Sequence, residues 1–287
     1  MTAHAYTIGN STFGLYDYPS ADRPWSLERK FEATAAGGYR HFEGDFGGDT
    51  AKAPIRALAA RFGLELGALR FGIRTEAQMA KLLQEAEELG AAYVVAIAGH
   101  AHHTTAQSVD LLGRFLDMAE RAGFPLYIET HRDSATQDLL RCAEIVEQLP
   151  RMPLMLDLSH LLVAGEITAD LYEERLPLFA PLFERALGFH GRISNGAQIQ
   201  IGLDSAEDEE AQQFARFWEH ALRAWKQAPA AAGPFRFTVE LGPPPYALTR
   251  KDEHGRRVEI KDRIEQGTLH VALFEQVWHS VFDGASK

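Results

Sequence analysis

The sequence predicts a (β/α)8 barrel, read as one domain over residues 1–287. Three observations carry that reading. Eight short apolar runs of strand character recur along the chain, with helix-like stretches between them. No Ser/Gly linker or composition shift divides the chain. Finally, four consecutive runs, PLYIE, PLMLD, ALGFH and FRFTVE, end at or near Glu129, Asp157, His190 and Glu240. A doubly wound sheet shows the same alternation. Eight strands with polar ends on four neighbours favour the closed barrel, whose strand ends share one mouth.

The elements follow in order. AYTIGN (5–10) is the first strand, and SLERKFEATAAGG after it places Leu27, Phe31 and Ala35 on one stripe before the Gly37–Gly38 stop. RHFEGDF (40–46) sets His41 and Glu43 on the face opposite Phe42, which turns Glu43 toward the mouth. LELGALRFG (64–72) leads into a helix with Thr75 at its N-cap, Met79, Leu82, Leu83 and Ala86 on one face, and Gly90 at its end. AYVVAIAG (92–99) is followed by His100, His102 and His103, read as a polar loop.

PLYIETH (125–131) precedes SATQDLLRCAEIVEQLP, where Ser134 and Gln137 stand at capping-box spacing and Pro150 closes the helix. PLMLDLS (153–159) and ALGFHG (186–191) come next. Residues 207–228 read as a helix with acids in its first turn and Phe214, Phe217, Trp218, Leu222 and Trp225 on its apolar face. After FRFTVEL (235–241), three consecutive prolines at 243–245 exclude helix and ladder. The charged stretch 249–263 is expected to be a solvated loop, and 262–282 the final helix.

Composition narrows the function. A net charge of −11, from 29 basic and 40 acidic residues, argues against general affinity for nucleic acid or an anionic membrane. One cysteine, Cys142, excludes an internal disulfide and a multi-cysteine zinc site, and its helical setting makes it a packing residue. The N-terminus lacks a basic segment with a long apolar core, and no run approaches the roughly 20 apolar residues that cross a bilayer. The cytoplasm is the expected compartment.

Three carboxylates and an imidazole from neighbouring strands suit one divalent metal held mainly by oxygen. Manganese is the first expectation, with magnesium, cobalt or zinc as alternatives. Glu129, Asp157, His190 and Glu240 are the expected ligands. Around them, His160, Arg192, His131 and Arg132 supply donors for the oxygens of a polyol or acid. Phe13, Tyr16, Tyr18 and Tyr246 are expected to wall the pocket, and Arg250 adds a cation near the mouth. Such a site moves a proton next to a carbonyl: a base takes it, an acid returns it, and the metal stabilises the enediolate in between. Glu129 and Glu240 would flank the substrate as that pair.

At these residues the chain resembles the xylose-isomerase-like superfamily, which includes sugar isomerases, ketose 3-epimerases, inosose dehydratases and apurinic endonucleases. Glu on the fifth strand, Asp-x-x-His on the sixth, His on the seventh and Glu on the eighth carry the likeness. Gly38-Tyr39-Arg40-His41-Phe42-Glu43 is similar to the superfamily's second strand. The resemblance implies Glu129, Asp157, His190 and Glu240 as metal ligands, His160 and Arg192 as substrate contacts, and a homo-oligomer. It implies an isomerase or epimerase acting on a small keto-sugar or sugar derivative.

Other classes stand beside that one. A lyase or dehydratase on a keto-sugar or keto-glycoside shares the same first step. A barrel that binds a ligand without catalysis would keep the metal as a structural element. The endonucleases need an Asp-x-His pair beyond the seventh-strand His. Residues 191–200 contain neither Asp nor His, which argues against DNA repair.

Overall fold

The computed structural model describes residues 4–47, 51–227 and 233–284. Eight parallel strands close into a barrel in sequence order: β1 (Tyr6–Ser11), β2 (His41–Gly44), β3 (Glu65–Ile73), β4 (Tyr93–Ala98), β5 (Leu126–Glu129), β6 (Leu154–Leu156), β7 (Ala186–Gly191) and β8 (Phe235–Val239). β8 pairs back onto β1, with Tyr6 opposite Phe235 and Asn10 opposite Val239. The expected architecture is therefore the observed one.

Helices cover the outside: α1 (Leu27–Ala36), α2 (Lys52–Phe62), α3 (Glu76–Leu89), α4 (Thr105–Ala122), α5 (Leu139–Gln148) and α6 (Leu158–Ala164). After the short turns α7 (Tyr172–Arg175) and α8 (Ala180–Phe183) come α9 (Glu209–Gln227) and α10 (Arg263–His279). Residue 228, the last of the helix expected there, lies outside the described residues. Among the described residues no helix is long and apolar enough to cross a membrane.

Local signals set most helix ends. Thr75 and Gln78 form a capping box at α3, and Gly90 ends that helix in the left-handed region at φ 63°. The helix expected from Ser134 instead begins at Leu139, because Asp138 caps it by accepting from the Arg141 amide. Ser134 and Thr136 are spent inside the β5–α5 loop, where the Thr136 hydroxyl donates to the Glu129 carbonyl at 2.7 Å. The charged stretch after β8 is also more ordered than a loop: β9 (Thr249–Lys251) and β10 (Arg257–Glu259) pair as a short antiparallel hairpin.

Two apolar layers follow from strand alternation. Outward residues such as Val94, Ala96, Ile128 and Leu154 join the helices in the main core. There α9 buries Phe214, Phe217, Trp218, Leu222 and Trp225, each worth about 1.5–3 kcal/mol. Inward residues Tyr93, Val95, Tyr127 and Met155 form a second, separate cluster inside the barrel. Gly9 of β1 makes room for this interior. A Cβ there would sit 2.0 Å from the His41 ring, whose Nε2 meets the Thr238 hydroxyl at 2.9 Å.

Candidate metal centre and active site

The same alternation delivers the site. Counting by twos up each strand, His41 leads to Glu43, Tyr127 to Glu129, Met155 to Asp157, Gly188 to His190 and Thr238 to Glu240. All five side chains therefore enter the barrel at the C-terminal ends of their strands. Glu43, Glu129, Asp157 and His190 are fully buried, and Glu240 is nearly so.

One ligand atom from each of Glu129, Asp157, His190 and Glu240 lies within 4.8 Å of the others. A single ion with ligands at about 2.0–2.6 Å spans a set of that size. The four residues expected to converge therefore do.

The donor chemistry fits a cation. His190 donates Nε2–H to the Glu43 carboxylate at 2.7 Å, which leaves Nδ1 facing the cluster. Nδ1 stands 3.3 Å from Glu129 Oε1 and 3.2 Å from Glu240 Oε2. Neither Glu129 oxygen nor His190 Nδ1 has a hydrogen-bond partner, although all three are buried. Buried polar atoms are rarely orphaned, so Glu129 Oε1 and His190 Nδ1, 3.3 Å apart and both without a hydrogen-bond partner, fit a position for a ligand. A carboxylate behind a ligating imidazole is also the usual means of fixing its tautomer. Sequence reasoning turned Glu43 toward the mouth without assigning it this role. The spacing His41-x-Glu43 fixes its face, while its partner on β7 is a tertiary contact.

Asp157 reaches the centre from a helix end. It caps α6, with Oδ1 accepting from the Ser159 amide at 3.0 Å and from the Ser159 hydroxyl. Its Oδ2 accepts from Arg192 Nη1 at 2.6 Å. Arg192 Nη2 donates to Glu240 Oε2 at 2.8 Å, and its Nε donates to the Glu240 carbonyl at 2.9 Å. This fully buried guanidinium thus ties β6, β7 and β8 together across the mouth. Phe13 and Tyr246 flank it, with the Arg192 guanidinium carbon 4.9 Å from the Tyr246 ring centroid.

The electrostatics split the two glutamates. Burial pushes Glu129 up to about 8, against the pull of His190. Glu240 is equally buried, but His190 and Arg192 overcome the desolvation and hold it down at about 2. Burial lowers His190, yet Glu240, Glu129 and Glu43 together raise it well above the usual imidazole range.

The expected substrate contacts fall at different depths. His131, Arg192 and Glu240 line a cavity of about 730 Å³ at the mouth, together with Phe13, Tyr16 and Tyr246. His160 is buried beside Arg192, at 3.2 Å from its Nη1, while Arg132 Nε approaches the other ring nitrogen at 3.2 Å. Burial keeps His160 well below 6.5, hence neutral, so only one of its nitrogens accepts at a time. His131 stacks on His160 with ring centroids 3.7 Å apart and donates Nδ1–H to the Arg132 carbonyl. Glu129, His131 and His160 also bring ligand atoms within 4.8 Å of one another, but that set shares Glu129 with the first.

Two expectations need correction. Tyr18 is not a cavity wall: it is buried and donates to Asp262 Oδ2 at 2.6 Å, tying the β1 loop to the start of α10. Arg250 lies on the exposed β9 hairpin, outside the lining of the cavity. His270 of α10 is buried, with Nδ1 2.7 Å from the Gln266 carbonyl.

A closed barrel of eight parallel strands with the helices outside it defines the TIM-barrel class, and the strand ends carry the candidate site. Residues 31–195 match the family model described as xylose isomerase-like TIM barrel, and the chain belongs to that family. Solved structures agree on the fold. An L-ribulose 3-epimerase superposes with a TM-score of 0.64 at 15% identity, covering 98% of this chain and 99% of the other. A putative xylose isomerase from Rhodospirillum rubrum gives 0.62 at 14% identity, covering 93% and 99%. A xylose isomerase-like TIM barrel protein from Mycobacterium smegmatis, in complex with magnesium, gives 0.60 at 12% identity, covering 98% and 100%. A search of curated protein sequences found no match.

Proposed function

We propose that the protein is a divalent-metal-dependent isomerase or epimerase that moves a proton next to the carbonyl of a keto-sugar or sugar derivative. The observation that carries this reading is the approach of both Glu129 and Glu240 to His190 Nδ1, at 3.3 and 3.2 Å, in a buried centre that reaches the mouth through Glu240. The relatives that bear epimerase and isomerase names support the reaction class, and the magnesium complex supports a metal.

Glu129, Asp157, His190 and Glu240 would hold the cation. When bound, it would stabilise the negative charge that develops on substrate oxygens as the neighbouring carbon loses a proton. Manganese fits this donor set, as do magnesium and cobalt.

The residues divide the remaining work. Glu240 borders the cavity and is ionised at neutral pH, which suits it to take up the substrate proton. Glu129, the second carboxyl at the centre, would return a proton drawn from solvent to the same carbon or its neighbour. Arg192 fixes the Glu240 side chain through both its carboxylate and its carbonyl. Phe13 and Tyr246, packed edge to face at 5.2 Å, shield that pair from bulk water.

The test is solvent deuterium incorporation into ketopentoses and ketohexoses, read by mass spectrometry on the metal-loaded protein. Glu240→Gln is expected to lower exchange by at least 10²-fold, the scale of one general base. Exchange unaffected by the substitution would sink the assignment. A product lighter by one water would shift the reading to a dehydratase, which shares the first step.

A further inference from the structure

The cavity is divided. The ends of β5–β8 supply His131, Arg192, Glu240 and Tyr246, while the wall from β1–β4 and their helices, apart from Ser11, Thr12, Lys30 and Asp45, is apolar. Leu69 and Phe71 of β3, Ile97 of β4, Phe46 after β2, and Leu27 and Ile55 of α1 and α2 all line the same space. Phe71 is 49% exposed and Tyr16 59%, so two of the large apolar side chains that face solvent stand at this mouth. Phe71 also packs edge-on against His131 at 5.3 Å, which makes the apolar wall continuous with the polar end.

Size and chemistry both disagree with a lone monosaccharide. A cavity of about 150 Å³ accommodates a six-membered carbon ring. At about 730 Å³ this one has room for a sugar and a second ring-sized group. Each sugar hydroxyl removed from water needs a partner, and an unpaired one costs about 1–3 kcal/mol. The Leu, Ile and Phe side chains of the far wall offer none. Asp45, one of the polar groups there, is already paired with Arg70 at 3.0 Å.

We infer that the substrate is a polyol or keto-sugar carrying an apolar substituent of aromatic-ring size. The polar part sits at Arg192, Glu240 and His131, and the substituent packs on Leu69, Phe71 and Ile97. This rests on the proton-transfer reading for the placement of the polar part, and adds the substrate class. Leu69 and Phe71 are the specificity-determining positions that can be tested without touching the centre.

The experiment compares the affinities of phenyl β-D-glucopyranoside and D-glucose for the manganese-loaded protein by calorimetry. Wild type is expected to bind the phenyl compound at least tenfold more tightly. Leu69→Ala and Phe71→Ala, both at partly exposed positions, are expected to reduce that preference at least threefold each while thermal melting shows them folded. Equal affinities, no binding of either compound, or a preference that survives both substitutions would overturn the inference. Deuterium exchange reads the reaction independently: its absence alongside a phenyl preference that depends on Phe71 removes the proton transfer and still supports the apolar subsite.

Discussion

Replacing Glu129 by glutamine is expected to stabilise the metal-free protein at pH 8. Burial moves this carboxyl from 4.5 to about 8. Because the folded-state value is raised, the folded chain binds the proton more tightly than the unfolded chain across that window. Stability is therefore present below about pH 4.5 and lost as pH rises toward 8. At 1.36 kcal/mol per pH unit, the loss at pH 8 amounts to about 4 kcal/mol. Glutamine cannot ionise, so the variant escapes it. Its amide stays buried without a partner at every pH, a constant cost of about 1–3 kcal/mol. The informative quantity is thus the change in the mutant–wild-type difference between pH 5 and pH 8, expected to be about 3–4 kcal/mol in favour of the variant. For a chain of this size that is roughly 6–8 °C. His190 is also raised and acts in the same direction in the wild type; the variant removes one of the carboxylates that raise it. Urea unfolding in EDTA at the two pH values measures the effect. Parallel stability curves would refute the reasoning, because they would mean that Glu129 is hydrated or paired in the folded protein.

Metal uptake should show the opposite pH dependence: Glu129 and His190 must shed protons to ligate, so affinity rises with pH across the range in which they titrate. Calorimetry in buffers of different ionisation enthalpy should register at least one proton released per ion at pH 7. Arg192→Gln strands Asp157 and Glu240 as buried charges and should cost about 3–5 kcal/mol without metal. Saturating manganese should shrink that deficit, as read by the shift in melting temperature. Gly9→Ala drives a methyl group into the His41 ring and its bond to Thr238, and should destabilise by about 1–3 kcal/mol without changing metal stoichiometry.

The strands that bear the site were legible because each is a short apolar run that stops at a polar residue. Burial keeps β5, β6 and β7 apolar up to Glu129, Asp157 and His190, so these stand out at strand ends, while β8 carries Arg236 and Thr238 into the interior before Glu240. Helix α3 was equally legible, since its capping box and terminal glycine are local. Asp138 displaced Ser134 as the α5 cap because Ser134 and Thr136 are consumed in bracing the β5 loop, a demand set by the fold. Arg192 shows the larger limit. The sequence places a guanidinium two residues past His190 and suggests a substrate contact. Its grip on Asp157 and Glu240 depends on three strand ends meeting, which no spacing encodes.

The barrel also has a floor. Below the centre, Tyr93, Tyr127 and Met155 fill the interior, the Arg236 guanidinium lies 3.9 Å from the Tyr93 ring centroid, and His41 bridges to Thr238. Among the described residues that plug closes the barrel below the centre, so the chamber opens at the C-terminal ends of the strands. On the proposed reading, a converted molecule leaves by the route on which the next one arrives. Product is therefore expected to compete directly with substrate, and net flux will follow whichever side of the equilibrium the surrounding solution drains.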